Sequence, residues 1–240
     1  MTLSGKAVLV TGASAGIGRA IAVALLKKGA RVVATGRRLA ELETLREISP
    51  NHSIKLLAGD LNEPKFAHRL AEIANGVDIF VNNAGILKYA PVLELSDDDA
   101  EAMFRTNVLA SLRITQLIAR QMVSRKSGHI IFVTSLAARE VYPLGTVYAA
   151  TKHALSAIAR GLRLEVQQHA IRVTEIAPGT VATGIRNTNT HPAALAAEKA
   201  RKFIPLTPDD IAAAVIFAVE MPANCCPELI ELRPQGAARA

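Results

Sequence analysis

The stretch Thr11-Gly12-Ala13-Ser14-Ala15-Gly16-Ile17-Gly18 decides the reading of this chain. It follows a short apolar run at residues 6–10 and opens a pattern in which Ile17, Ala20, Ile21, Ala24 and Leu25 recur at helical spacing up to Gly29. Strand, glycine turn and helix in that order leave unpaired N–H groups and the positive end of a helix dipole facing outward. Gly12, Gly16 and Gly18 let the backbone turn tightly, and they would let a pyrophosphate approach it closely.

Outward from this turn the same alternation continues. Residues 31–35 are apolar and β-branched, and a charged amphipathic stretch follows at 39–48. Further buried strands are predicted at 54–58, 77–81, 129–134, 171–177 and 229–232. Helical patterns at 65–74, 97–124, 147–169 and 208–220 separate them, and 180–205 reads as a long irregular stretch. Parallel strands cannot be joined by tight hairpins, so the alternation implies right-handed crossovers. The expected fold is α/β: a doubly wound parallel sheet of the Rossmann kind in one three-layer domain over residues 1–240. A long irregular insert in a compact domain is usually functional, which makes 180–205 the expected substrate lid.

Composition narrows the classes of function. Half of the 240 residues are apolar and 20% are charged, which suits a chain with a substantial core. The start of the sequence lacks the pattern of a secretory signal, and no run is long enough to span a bilayer. Cys225 and Cys226 are adjacent and poorly placed to bridge each other, so a reducing cytoplasm is the expected compartment. The formal charge of +7 is spread over scattered bases such as Lys27, Lys28, Arg31, Arg120, Arg125 and Lys126, with only three Tyr and six Phe to interleave. That is a poor nucleic-acid footprint and suits a phosphate-rich cofactor better. His52, His68, His129, His153, His169 and His191 are dispersed without ligand spacing, so no metal is expected.

The end of the second strand discriminates between nicotinamide dinucleotides. An acidic side chain there would hydrogen-bond a free ribose hydroxyl and repel a 2′-phosphate. This chain reads Thr35-Gly36-Arg37-Arg38, with two guanidinium groups able to fork onto phosphate, so NADP is expected rather than NAD. Asp60 and Leu61, ending the third strand, could meet the adenine or cap the next segment. Asn82-Asn83-Ala84-Gly85 could pass beside the nicotinamide ribose or form a plain turn. Tyr148 and Lys152 share one face of a predicted helix, and a cation beside a phenol favours its ionised form. Ser135 closes the fifth strand at the carboxyl end of the sheet.

These elements together resemble the short-chain dehydrogenase/reductase family over nearly the whole chain. The resemblance rests on the turn at 11–18, Asp60, the Asn82 to Gly85 run, Asn107, Ser135, Tyr148 with Lys152, and Pro178-Gly179 with Thr183. It implies an NADP-dependent interconversion of a carbonyl and an alcohol by hydride transfer. In that scheme Ser135 polarises the carbonyl, Tyr148 exchanges its proton, Lys152 binds the nicotinamide ribose and tunes Tyr148, and Asn107 holds a relay water. Ser14 and Ile17 in the turn, and Gly179, Val181 and Thr183 after the sixth strand, would complete the cofactor site.

Thr134 stands where the family often has a serine. The runs at 34–38 and 206–208, with Arg233-Pro234, are similar to members that act on 3-hydroxy acids or reduce carbonyls. The resemblance also implies a homodimer or homotetramer built on the long helices after Ser96 and Val147. A catalytically silent NADP-binding regulator on the same fold is the alternative. For the substrate, Leu87, Ala137, Val141, Tyr142, Ile185 and Phe203 are candidate apolar lining, and Arg139, Arg186 and His191 are candidate partners for a carboxylate.

Overall fold

The structure is a computed structural model and describes residues 2–49 and 53–237; His52 lies outside the described residues. Seven parallel strands form one sheet in the order β3-β2-β1-β4-β5-β6-β7. They are β1 (Ala7–Thr11), β2 (Arg31–Gly36), β3 (Ile54–Ala58), β4 (Ile79–Asn82), β5 (Gly128–Val133), β6 (Ile171–Pro178) and β7 (Leu229–Leu232). Each starts within two residues of its sequence-based expectation. The reason is visible in how the strands divide their side chains. Val8 and Val10 enter the core on one face of the sheet and Leu9 the core on the other; Ile131 and Val133 oppose Ile130 and Phe132 in the same way. A strand covered on both faces must be apolar at every position, and this produces the continuous runs.

Helices α1 (Gly16–Lys27) and α8 (Pro208–Glu220) cover the first face, where Ile21, Leu25, Ile211 and Val215 are fully buried. Helices α3 (Pro64–Ile73), α5 (Ser111–Arg125) and α6 (Thr146–Val166) cover the second with Leu70, Ile114, Ile118 and Leu155. Thr207 caps α8 in a reciprocal capping box with Asp210, as a Thr followed by Asp three residues later allows.

Three expectations about helices are corrected. The pattern at 39–48 is a short α2 (Leu39–Glu43) and a separate 3₁₀ turn, Arg46–Ile48, because Thr44 turns back onto the Glu41 carbonyl. The pattern at 97–124 is α4 (Asp97–Phe104), a π segment (Arg105–Ala110) and then α5; one residue inserted into a turn hardly changes the apolar period. The stretch at 180–205 is only partly irregular, since it holds a 3₁₀ turn, Gly184–Thr188, and α7 (Pro192–Lys199). No helix among the described residues is long and apolar enough to cross a membrane.

Chain order reverses between β1 and β4: β2 and β3 lie on one side of β1, and the chain then returns to add β4 on the other. The carboxyl ends of the strands at that switch point form the crevice where ligands bind in open α/β sheets.

Candidate active site

A cleft of about 570 Å³ occupies this crevice, and a smaller pocket of about 80 Å³ adjoins it. Ile17, Leu87, Thr134, Tyr148, Thr183 and Ile185 line both. The cleft floor is the glycine turn. Gly12 and Gly16 have φ of +68° and +51°, and a Cβ on Gly18 would lie 2.4 Å from the Gly12 carbonyl oxygen. Larger residues are therefore excluded at these positions. Ala15 precedes α1 without a side-chain cap, and no acidic residue occupies the first turn, so the N–H groups there face the cleft. An anion fits such a helix start.

Thr11 ties this floor to the next loop. Its hydroxyl accepts from the Asn83 and Ala84 N–H groups at 3.0 and 3.1 Å, while Asn83 Nδ2 donates to the Thr11 carbonyl at 2.9 Å. Asn82 points away from the cleft and bonds Ser111 and Thr115. Gly85 lies over Lys152 and Asn107 with little room for a side chain.

The far end of the cleft carries Arg37 and Arg38, both exposed, with Arg38 reaching the Ser14 carbonyl at 3.5 Å. Gly36 packs so closely on Ser14 that a Cβ there would lie 2.9 Å from its Oγ. Asp60 accepts from Asn62 N–H at 2.9 Å, a local turn bond, and still lines the cleft beside Leu61. Cleft volume, glycine floor, open helix start and paired cations all fit a phosphate-rich dinucleotide.

Ser135, Pro178, Gly179 and Val181 line the smaller pocket with Tyr148 and Thr183. Ser135 Oγ accepts from Ala137 N–H at 3.1 Å and donates to the Pro178 carbonyl at 3.3 Å, which fixes it at the start of a 3₁₀ turn, Leu136–Ala138. Tyr148, on the first turn of α6, packs edge-on against Tyr89 with ring centroids 6.0 Å apart. Lys152 lies one turn further, its Nζ 3.3 Å from the Val133 carbonyl and 5.7 Å from the Tyr148 ring centroid.

Burial dominates the electrostatics here. It pushes the Tyr148 phenol well above its ordinary range, with Tyr89 and Tyr142 adding to the effect; a hydrogen bond from Ser135 and the charge of Arg186 oppose it. Burial thus opposes the ionisation that the sequence reading expects Lys152 to favour. Lys152 itself is held down to about 8 by burial, and the charge of Glu175 pushes the other way.

Asn107 does not line either pocket. Its Oδ1 accepts from Ile86 N–H at 2.8 Å, and its Nδ2 donates to the Ile86 carbonyl and to Thr151 Oγ1. From the π segment it therefore clamps the loop at Ile86 to α6. Asn62, Thr106, Asn187 and Thr188 also line the cleft, and the sequence does not announce them, since isolated polar residues carry no spacing signal.

The substrate candidates divide. Leu87, Tyr142 and Ile185 line the smaller pocket, as does Arg186, whose guanidinium stacks over Tyr89 at 5.1 Å. Ala137 is fully buried in the cluster beside Tyr148, Val141 is 56% exposed, and Phe203 packs under Arg201. Arg139 is corrected: it turns inward to Glu175 at 2.8 Å and also meets Glu231. His191 is corrected too, because it pairs with Glu94 at 3.0 Å and caps α7 through Ala193 N–H. Among the described residues no group of three His, Cys, Asp or Glu is arranged to hold a metal, and Cys225 and Cys226 are free thiols.

The family model described as "short chain dehydrogenase" matches residues 6–194. The chain belongs to the short-chain dehydrogenase family. An uncharacterized oxidoreductase of Staphylococcus aureus strain MW2 is 33% identical over 236 residues, covering 97% of this chain and 98% of the relative. Among solved structures, a closed form of serine dehydrogenase complexed with NADP+ is 32% identical with a TM-score of 0.90, covering 98% of this chain and 97% of that one. An alcohol dehydrogenase from the archaeon Thermococcus sibiricus, complexed with 5-hydroxy-NADP, is 26% identical with a TM-score of 0.85 and covers 98% and 99%. This short-chain dehydrogenase thus shares its oxidoreductase family and its seven-stranded parallel fold with proteins whose structures hold NADP or an analogue.

Proposed function

We propose that this short-chain dehydrogenase is an NADP(H)-dependent oxidoreductase that interconverts a carbonyl and an alcohol, with Tyr148 as the acid and base. The observation that carries the reading is the junction of the two cavities. Tyr148 lines both, Lys152 lines the cleft, and Ser135 lines the pocket, so a cofactor ring in one and a small substrate in the other would meet at the phenol. Bound NADPH supplies a hydride to a carbonyl carbon, and NADP+ accepts one from an alcohol.

The chain's own groups then manage charge. A phenol kept protonated by its surroundings is the correct donor to an oxygen that becomes negative, and Ser135 can donate a second hydrogen bond to the same oxygen once its hydroxyl turns away from the Pro178 carbonyl. Lys152, ionised below a pH of about 8, would hold the nicotinamide ribose and stabilise the phenolate formed when Tyr148 gives up its proton. The glycine turn and the start of α1 would take the pyrophosphate, Arg37 and Arg38 the 2′-phosphate, and Asp60 with Leu61 the adenine side. Thr183, Val181 and Gly179 would border the nicotinamide.

Arg186 is the charged side chain that lines the smaller pocket. It shares Glu198 with Arg201, which sits closer, so the three charges leave a net positive balance beside Ser135 and Tyr148. A pocket of this size with one guanidinium suits a small hydroxy or oxo acid, and the serine dehydrogenase neighbour is consistent with that class.

A panel of ketones and aldehydes with and without a carboxylate tests this, with NADPH consumption as the readout. The parent is expected to favour the acids, and Arg186→Ala to raise their KM by roughly tenfold while barely affecting neutral ketones. Equal KM changes for both classes would remove Arg186 from substrate binding.

A further inference from the structure

Lys152 must keep its proton while 5% exposed, yet its own contacts are a backbone carbonyl and the face of a phenol. An ammonium held that way needs a negative charge nearby. Among the described residues the interior of the sheet supplies one buried acidic side chain, Glu175 on β6, which is 2% exposed. Its Oε1 accepts from Thr134 Oγ1 at 2.6 Å; its Oε2 accepts from Ser156 Oγ at 2.9 Å and Arg139 Nη2 at 2.8 Å. Each donor belongs to a different part of the reaction framework. Thr134 precedes Ser135, Arg139 ends the 3₁₀ turn that Ser135 begins, and Ser156 stands one turn beyond Lys152 on α6.

Charge balance points the same way. Arg139 is divided between Glu175 and the half-exposed Glu231 at 3.6 Å, so one guanidinium serves two carboxylates, and Lys152 is the buried cation one turn before Ser156 on α6. We propose that Glu175 is a positioning residue for the reaction, joining the segment that carries Ser135 to the helix that carries Lys152 and supplying the charge that balances the buried ammonium. This rests on the reading of Tyr148 and Lys152 given above. Scaffolding alone would need the hydrogen bonds and not the charge, which makes the two roles separable.

Burial lowers Lys152, and Glu175 is the group that raises it. Lys152 otherwise meets Tyr148 on its own helix, the Val133 carbonyl and the neutral Gly85, while Arg139 is bonded to Glu175. Removing the carboxylate charge therefore moves Lys152 further down, and the ammonium is lost at a lower pH. Ser156→Ala removes one hydrogen bond to the same carboxylate and one from Arg139, and leaves both charges in place.

The experiment follows the proton of Lys152 by NMR of ¹³Cε-labelled lysine in the cofactor-free protein, with Lys152→Met to assign the signal, alongside kcat against pH. In Glu175→Gln the midpoint should fall by about one pH unit or more, and the alkaline limb of kcat should move with it. In Ser156→Ala both should stay near those of the parent. An unmoved midpoint in Glu175→Gln, or an equal shift in Ser156→Ala, overturns the proposal. Should Glu175→Gln fail to fold, Glu175→Asp keeps the charge while shifting the bonds: a lowered kcat with a retained midpoint supports the proposal, and a lost midpoint overturns it. A parent without turnover on any carbonyl compound would sink the reading of the site, while the NMR result still decides the role of Glu175.

Discussion

Arg37 and Arg38 are the residues on which cofactor choice depends. Both are exposed at the cleft rim, so their contacts with a 2′-phosphate are worth less than buried ones. Replacing both with alanine should still reduce the kcat/KM ratio of NADPH to NADH by on the order of tenfold or more at fixed ionic strength. An unchanged ratio would reject the assignment. Introducing an acid at Gly36 is a poorer route to NAD, because any side chain there collides with Ser14.

Single residues were legible in the sequence where a motif carried them. Tyr148, Lys152, Ser135 and the glycines stand at the cavities because spacing along one strand end or one helix face predicts proximity. Arg139 and His191 were misread because their partners, Glu175 and Glu94, are 36 and 97 residues away and no local pattern announces them. Glu175 went unnoticed for the same reason: within an apolar strand it reads as an interruption.

At the scale of elements, strand β5 carries a titratable group at the end of the sheet opposite the site. His129 is 2% exposed, its Nε2 pairs with Thr174 Oγ1 at 2.8 Å, and its Nδ1 has no hydrogen-bond partner. Burial, with Arg172 adding, holds its pKa down to about 3. The unfolded chain takes up this proton near a pH of about 6.5 and the native state does not, so stability falls as pH drops from there towards about 3. The slope is about 1.4 kcal/mol per pH unit for one group. Urea unfolding of the parent between pH about 6.5 and 5 should therefore show a loss on the order of 2 kcal/mol that His129→Asn lacks. Parallel pH profiles for the two proteins would contradict it.

Strands were easier to read than helices because burial on two faces writes itself into every residue, whereas the π segment at Arg105–Ala110 alters geometry without altering the apolar pattern. Its consequence is local geometry, since it aims Asn107 at Ile86 and Thr151.

For the whole molecule, the two core layers account for most large apolar side chains, yet Leu109 and Leu164 remain 53% and 65% exposed on the helical stretches after Ser96 and Val147. A homo-oligomer built on those stretches is the proposal that would cover them. Light scattering should give at least twice the 25.5 kDa chain mass, and Leu164→Asp should lower it. A monomer at all working concentrations would exclude it. Alternation of strands and helices made the doubly wound order legible, while the smaller pocket was legible only in Leu87, Tyr142, Ile185 and Arg186, because it is assembled from the loop after β4, the turn after β5 and the 180–186 segment.

Carbonyl chemistry at the junction of cleft and pocket is proposed to run through the Tyr148 phenol. Tyr148→Phe removes one oxygen and almost no volume, so it tests that claim with little disturbance to packing. The measurement is NADPH binding by fluorescence and NADPH consumption with the best carbonyl substrate, in parent and variant side by side. The account predicts binding within a few-fold of the parent and turnover reduced by at least about a hundredfold. Turnover equal to the parent's, or a parent that binds NADPH and reduces no carbonyl compound, would contradict it.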